Sequence, residues 1–294
     1  MSDAAAGGDI PLYHGYTPEE LDVQYNARAT VPDVTVFLRR YAELSAEMRA
    51  RLPCACDVAY GPGADETLDI FPAPREGSPV LVYIHGGYWR ALSKDDSSFM
   101  AATFTAAGAT VVAVNYSLAP AVTLDEIVAQ NRRALAWIYT NIARHHGDPK
   151  RIYLCGSSAG GHLVGMLLAP GWQQEYGLPD DVVAGACPIS GLFDLAPIVS
   201  THINAWMQLD AETAHRSSPL FHLPAAPVPL LACVGGNETA EFKRQSTAYV
   251  AACHALGFDA AYLEIEHTHH FDVVLELCNP DSLLTRSLLR MMRL

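Results

Sequence analysis

Short apolar runs rich in β-branched residues alternate along this chain with longer segments of helical periodicity. Five runs have the length and composition of buried parallel strands, at residues 80–84, 110–114, 151–155, 182–188 and 228–234. Segments with the period of amphipathic helices separate or follow them, at residues 95–107, 124–146, 159–168 and 240–256. This alternation predicts an α/β fold in which mostly parallel strands form a central sheet with helices on both faces.

The ends of the series depart from this alternation. Alternating segments at 54–60 and 66–71 flank Gly61-Pro62-Gly63-Ala64-Asp65 and predict an antiparallel hairpin that leads into the parallel sheet. A further strand at 260–265 and a helix at 282–293 complete the predicted domain.

The chain divides into two expected parts and an insert. Residues 1–50, with a helix at 34–52, are predicted to form an extension that packs on the main domain, residues 51–294. Residues 192–227 contain several prolines and aromatic side chains and have weak periodicity. Irregular inserts in α/β sheets commonly lie above the carboxyl ends of the strands, where ligands bind, so we expect a lid-like segment there.

The charge balance narrows the class of function. The 294 residues include 19 basic and 32 acidic side chains, and the net charge of -13 repels nucleic-acid phosphates and anionic lipid. Residues 1–10 lack the features of a signal peptide, and no apolar stretch has the length of a membrane span. We expect a cytoplasmic enzyme with a small-molecule substrate and no nucleic-acid or membrane partner; a homo-oligomer remains open.

The cysteine pattern indicates reduced thiols. The chain has seven cysteines, an odd number, and most of them lie in apolar runs, where a free thiol packs as a small apolar side chain. Cys54-Ala55-Cys56 lacks the two-residue gap of common redox and zinc motifs, so the sequence assigns it no chemistry.

The first chemical motif is Gly156-Ser157-Ser158-Ala159-Gly160. It directly follows a predicted strand and opens a predicted helix. A serine on such a tight turn has its hydroxyl presented clear of the sheet, and flanking glycines remove side chains that would clash there. The motif predicts Ser158 as a nucleophile.

A second motif, His85-Gly86-Gly87, comes where the predicted strand 80–84 ends. Successive glycines let backbone N–H groups approach a substrate oxygen, and the residue after the nucleophile supplies another donor. Gly86, Gly87 and Ala159 are therefore the predicted oxyanion hole. His85 precedes the nucleophile and is predicted to stabilise its loop rather than act as the base.

A serine nucleophile needs a base, and the base needs an orienting carboxylate. Glu238 follows a strand and the glycine pair Gly235-Gly236, which makes it the preferred acid, with Glu241 as its rival. The base is expected among His267, His269 and His270, after the strand at 260–265. We favour His270 because a helix is expected to follow it, although spacing alone leaves the choice open.

Together these motifs resemble the α/β-hydrolases of the hormone-sensitive-lipase-like group, and more closely their kynurenine formamidase (arylformamidase) branch. The resemblance runs from about residue 20 to the end and implies the triad Ser158, Glu238 and His270. Members of the branch typically carry aspartate where this chain has Glu238, and glutamate also serves in such triads. The residues that carry the resemblance are Tyr25-Asn26, His85-Gly86-Gly87-Tyr88-Trp89, 116–120, 238–246 and His269-His270-Phe271-Asp272.

The predicted function is a serine hydrolase that cleaves a small ester or an N-formyl aryl amide through an acyl or formyl enzyme. It is expected to need no cofactor and no metal. Tyr88, Trp89, Phe193 and Trp206 are the candidate substrate-binding residues.

Three alternatives accompany this prediction. The first is a generic short-chain carboxylesterase. The second is a noncatalytic ligand-binding module on the same scaffold, although such modules usually lose a triad member. The third is a metal-dependent amidohydrolase with ligands from His267, His269, His270 and Asp272, whose spacing does not match the H-E-x-x-H pattern.

Overall fold

The computed structural model describes residues 13–294; the first 12 residues of the predicted extension lie outside the described residues. Eight strands of this part form one sheet in the order β1-β2-β4-β3-β5-β6-β7-β8. β2 is antiparallel to β1 and β4, and the other neighbouring pairs are parallel. The predicted mostly parallel sheet with an antiparallel hairpin is confirmed. The strands are β1 Ala55–Ala59, β2 Thr67–Phe71, β3 Ser78–Ile84, β4 Thr110–Val114, β5 Gly147–Ser157, β6 Val183–Ile189, β7 Leu230–Gly235 and β8 Ala260–Ile265.

Several helices of the described residues begin and end close to the predicted positions, whereas those at 18–25, 204–207 and 211–216 were not predicted from the sequence. The helices are α1 Pro18–Tyr25, α2 Thr35–Arg51, α3 Ala101–Ala107, α4 Leu124–Asn141, α5 Ala159–Leu168, α6 Asn204–Met207, α7 Ala211–Arg216, α8 Ala240–Ala255 and α9 Leu283–Met292. None of these helices is long and apolar enough to cross a membrane.

The hydrophobic core lies in two layers, because successive side chains of a strand point to opposite faces of the sheet. Val80, Val82 and Ile84 of β3 enter one layer, and Leu81 and Tyr83 enter the other. Buried residues of α1, α4, α5 and α8 complete the first layer, and those of α2, α3 and α9 complete the second. The predicted helices on both faces are therefore present.

The segment predicted as one helix at 95–107 is instead a 3-10 turn, Lys94–Asp96, followed by α3. Ser93 caps the turn together with Asp96, and the Ser98 N–H donates to Ser45 Oγ of α2 at 3.0 Å. Short polar side chains compete for backbone hydrogen bonds and favour caps over helix interiors. The polar start of this segment therefore does not continue the helix.

The residues of the predicted insert, 192–227, form α6 and α7 with 3-10 turns at Ala196–Ser200 and Pro219–Phe221. The N-terminal helices contribute Leu21 and Tyr25 to one core layer and Tyr41 and Met48 to the other. The division into an extension, a main domain and a lid-like insert stays a prediction.

His162 on α5 makes stability depend on pH. The ring is fully buried, accepts a hydrogen bond from Trp89 Nε1 at 3.3 Å and donates one from Nε2 to the Ser217 carbonyl at 2.7 Å. Burial lowers the pKa of His162 to about 4. An unfolded histidine titrates near 6.5, so below that pH the unfolded state binds a proton that the folded state does not.

The free energy of unfolding should therefore fall as the pH is lowered from 6.5 towards 4, by up to about 3 kcal/mol from this residue. Denaturant unfolding across this range should give a shallower decline for His162→Gln than for the wild type. The matched control, His254→Gln, changes an exposed histidine and should keep the wild-type slope. Equal slopes for all three proteins would contradict this account.

Candidate active site

Ser158 stands alone between the end of β5 and the start of α5 at Ala159. Its backbone has φ 55° and ψ -114°, a conformation that residues other than glycine rarely adopt. The Ser158 N–H donates to the Ile189 carbonyl at 2.8 Å, and its own carbonyl accepts from the His162 N–H at 3.0 Å. These bonds hold the strained turn in place.

The glycines of the turn are required by close backbone contacts. A Cβ atom on Gly156 would lie 2.5 Å from the Gly160 carbonyl oxygen, and one on Gly160 would lie 2.0 Å from the Ile84 oxygen. Backbone oxygens cannot move aside without shifting the sheet. Glycine on both sides of Ser158 therefore lets α5 start directly against β3.

Glu238 and His270 form a buried pair. His270 Nδ1 lies 2.6 Å from Glu238 Oε2, and both side chains are almost fully buried. Glu238 Oε1 accepts from Ser190 Oγ at 2.5 Å and from the Gly235 N–H at 2.7 Å. These donors fix the carboxylate, and the carboxylate fixes the ring so that Nε2 is the nitrogen left for chemistry.

The loops that carry this pair are bonded to each other. After β7, the Gly236 N–H donates to the Ile265 carbonyl and the Asn237 N–H donates to the Thr268 carbonyl, both at 2.8 Å. A Cβ atom on Gly235 would lie 2.8 Å from the Thr268 oxygen. The Gly235-Gly236 pair thus allows the acid-bearing loop to pack directly on the histidine-bearing loop.

The loop after β3 brings backbone donors close to Ser158, the predicted nucleophile. A Cβ atom on Gly86 would lie 3.2 Å from Ser158 Cβ, and Gly87 has φ +96° with the Ala91 oxygen 2.2 Å from its Cβ position. Within residues 13–294 no backbone carbonyl accepts from the N–H of Gly86 or Gly87. Ala159 opens α5, where the N–H lacks an intrahelical acceptor. The predicted oxyanion donors are therefore available for a ligand.

His85 is the first residue of this loop. Its ring stacks on Tyr116 with centroids 4.1 Å apart, and Nδ1 lies 2.9 Å from the Gly86 carbonyl oxygen. Burial lowers the pKa of His85 to about 4. The Tyr116 hydroxyl also donates to the His85 carbonyl at 2.9 Å, so the two side chains brace the loop.

Ser158 and His270 open onto one cavity of about 400 Å³. Among the hydrogen bonds of residues 13–294, none joins these two side chains; such contacts are often long before substrate binds and tighten afterwards. Gly86 and Gly87 line the same cavity. Its aromatic wall consists of Tyr25, Tyr41, Tyr83, Tyr88, Phe99, Trp206 and Phe271.

The four predicted substrate-binding residues separate into two pairs. Tyr88 and Trp206 line the cavity, and Trp206 Nε1 donates to the Tyr88 carbonyl at 3.2 Å. The prediction placed Trp89 and Phe193 there too, but both lie in the core instead. Trp89 bonds to His162, and Phe193 stacks on Tyr249 with centroids 4.2 Å apart. Trp89 and Phe193 therefore serve packing, although Tyr88, the direct neighbour of Trp89, lines the cavity.

The rival acid Glu241 and the rival histidine His269 have other partners, and the third candidate histidine, His267, is exposed. Glu241 accepts from the Tyr25 hydroxyl at 2.7 Å and pairs with Arg244. His269 Nδ1 accepts from the Phe271 N–H at 3.1 Å, and its Nε2 lies 3.2 Å from Asp272. In the described part of the chain, the histidines of this loop do not converge with Asp272 as a metal-binding group.

Sequence reasoning missed Ser190 and Tyr41. Ser190 follows the end of β6, at the same edge of the sheet as Ser158, and this position was the available signal. Tyr41 of α2 lines the cavity, and its hydroxyl bonds to the Phe271 carbonyl next to His270. Nothing in the spacing of α2 indicated that contact, because it joins segments 230 residues apart.

Known proteins resemble this chain over most of its length. The BD-FAE family model matches residues 68–183. Kynurenine formamidase of Danio rerio is 35% identical over 287 residues, covering 93% of this chain and 96% of that protein. The chain belongs to the kynurenine formamidase family.

Relatives of this chain also include esterases. Esterase LipQ of Mycobacterium tuberculosis is 29% identical, covering 74% of this chain and 57% of that protein. The crystal structure of a candidate thioesterase from Silicibacter sp. TM1040 has a TM-score of 0.80 and 31% identity, covering 91% of this chain and 98% of the other. The family member is therefore an α/β-hydrolase of arylformamidase or esterase type, and the predicted hydrolase activity is confirmed at that level.

The Ser190 hydroxyl gives a specific prediction for this family member. Ser190→Ala removes one of the donors to the buried Glu238 carboxylate, and hydrogen bonds to charged groups contribute about 1.5–3 kcal/mol. We expect kcat for p-nitrophenyl acetate to fall about tenfold or more, with KM little changed.

The control is Ser246→Ala, which truncates another fully buried serine whose hydroxyl has no partner among residues 13–294. This variant should keep the wild-type kcat. Equal losses of kcat in both variants would contradict the prediction. They would mean that truncation of a buried serine, rather than loss of the hydrogen bond to Glu238, lowers the rate.

Proposed function

We propose that this chain cleaves small aryl esters and N-formyl aryl amides, N-formylkynurenine among them, through an acyl or formyl enzyme on Ser158. Ser158, His270 and Glu238 are the proposed triad, and Gly86, Gly87 and Ala159 supply the proposed oxyanion hole. The observation that carries this proposal is the 2.6 Å contact between Glu238 and His270 beside the cavity that Ser158 and the free Gly86 and Gly87 N–H groups share.

The steps follow from these positions. Ser158 Oγ attacks the substrate carbonyl while His270 Nε2 accepts its proton, and Glu238 stabilises the imidazolium that forms. Backbone N–H groups hold the oxyanion, and one such donor contributes about 2.7–4 kcal/mol of transition-state stabilisation in a serine hydrolase. His270 then returns the proton to the leaving amine or alcohol. Water attacks the acyl or formyl ester by the same route and regenerates Ser158.

The cavity supports an aromatic substrate that carries an acid group. Its volume of about 400 Å³ and aromatic wall suit a small aryl compound. Arg28 and Arg90 also line it, and the Arg90 guanidinium lies 4.5 Å from the centre of the Trp206 ring. A guanidinium beside an aromatic wall suits a carboxylate attached to an aryl group. The amino-acid portion of N-formylkynurenine has this chemistry.

We further propose that the protein works in the cytoplasm on small molecules rather than nucleic acid or membranes. The net charge of -13 supports the exclusion of polyanionic partners. The seven cysteines, all in the described residues, are free thiols, which suits a reducing compartment.

Ser158→Ala should lower kcat for p-nitrophenyl acetate by about 10⁴-fold or more, because the nucleophile of a triad acts with its partners as a unit. The same change should abolish covalent labelling by a fluorophosphonate while thermal unfolding stays near wild type. Ser157→Ala, a change at the neighbouring serine, is the control and should still be labelled. Retained turnover in Ser158→Ala would reject the proposed nucleophile.

Substrate class is tested by kcat/KM for N-formylkynurenine, for N-formylaniline and for a series of p-nitrophenyl esters. We expect turnover of both formamides, with N-formylkynurenine preferred because Arg28 and Arg90 line the cavity and could pair with its carboxylate. Dialysis against a chelator should leave these rates unchanged. Turnover of the esters alone would favour a generic carboxylesterase, which the esterase relatives also support.

A further inference from the structure

Two thiols and a buried carboxylate meet at the outer edge of the sheet, around β1 and β2. Cys54 Sγ and Cys56 Sγ lie 3.0 Å apart, because residues two apart on an extended chain share a face. An oxygen of Asp69 on β2 lies within 4.8 Å of both sulfurs. Within residues 13–294 this is the group of histidine, cysteine and acidic side chains with metal-binding spacing.

Asp69 has one oxygen that the rest of the described chain does not use. Its side chain is fully buried. Oδ1 accepts from the Asp57 N–H at 2.9 Å and lies 3.0 Å from Lys94 Nζ. Oδ2 is buried and has no hydrogen-bond partner among residues 13–294. A buried oxygen of a charged group without a partner is costly, so a cation beside it would be favourable.

The surrounding charge also favours a cation. Lys94 Nζ contacts Asp57 at 2.7 Å and Asp95 at 3.0 Å as well as Asp69, and Arg49 lies 3.8 Å from Asp95. Three carboxylates therefore face one ammonium and one guanidinium. The net charge of these five side chains is therefore negative before any thiol loses its proton.

We propose that Cys54, Cys56 and Asp69 bind a thiophilic divalent cation, with Zn²⁺ as the natural candidate and a water molecule in the fourth position. Each thiol gives its proton to solvent as its sulfur binds the metal. Tetrahedral Zn²⁺ with Zn–S distances of about 2.3 Å holds two sulfurs about 3.8 Å apart, so the two side chains need only a small rotation. Cys56 is exposed and provides the entry path, whereas Cys54 is partly buried and Asp69 is fully buried.

The proposed site is separate from the candidate active site. β1 is the outermost strand of the sheet on one side, whereas Ser158 follows the central strand β5. The proposal therefore does not depend on the proposed function, and its test does not use activity as the readout.

The test is a titration of the reduced full-length protein with Co²⁺, which reports thiolate ligands by a charge-transfer absorption that histidine and carboxylate ligands do not produce. We expect saturation at one Co²⁺ per chain and displacement by one equivalent of Zn²⁺. Cys54→Ser and Cys56→Ser should each abolish the two-thiolate spectrum, and Asp69→Asn should weaken binding about tenfold or more.

Cys278→Ser is the matched control, because Cys278 is another partly buried free thiol and lies outside the site. This variant should bind as the wild type does. Cys56→Ser changes an exposed side chain and should unfold at the wild-type temperature, so its loss of binding is separable from misfolding. Three results would each overturn the proposal. The reduced protein would show no thiolate band, or the band would be unchanged in Cys56→Ser. The third is that Cys54 and Cys56 form a disulfide on oxidation while the reduced protein binds no metal.

Discussion

The contact on which the candidate active site depends is the packing of the loop after β7 directly on the loop after β8. Backbone hydrogen bonds from Gly236 and Asn237 join the two loops, and Gly235 leaves no side chain between them. This approach is what allows a carboxylate and an imidazole from separate loops to meet at 2.6 Å. A larger residue at position 235 would separate the loops before it affected any reacting group.

Close backbone packing also positions Ser158, the proposed nucleophile. Parallel strands end at one edge of the sheet, so the loops after β3, β5, β7 and β8 meet there without a special arrangement. Glycine residues occupy close backbone contacts among these segments, as at Gly86 and Gly160. The proposed reacting groups are thus positioned mainly by backbone contacts, and the Glu238 carboxylate also accepts a hydrogen bond from Ser190.

Local patterns predicted most of the fold and pointed to the residues of the proposed triad, because buried strands and tight glycine turns leave signals within a few residues. The strands at 110–114 and 260–265 and the helix at 159–168 have the predicted bounds. Contacts between distant segments left no such signal. Trp89 and Phe193 could not be distinguished from cavity residues, and the contact of Tyr41 with Phe271 could not be foreseen. The Cys54-Ala55-Cys56 motif gained meaning only when β2 brought Asp69 beside it.

The position of His270 has a consequence for how the protein is made. Its loop follows β8, the last strand of the chain, and is held from the other side by Tyr41 of an early helix. The proposed nucleophile Ser158 is translated before its proposed base His270, and the Tyr41 hydroxyl can bond to the Phe271 carbonyl only when the residues after β8 are in place. We therefore expect a chain that ends before β8 to contain the proposed nucleophile without its proposed base, so that reactivity depends on two segments that are distant in the sequence.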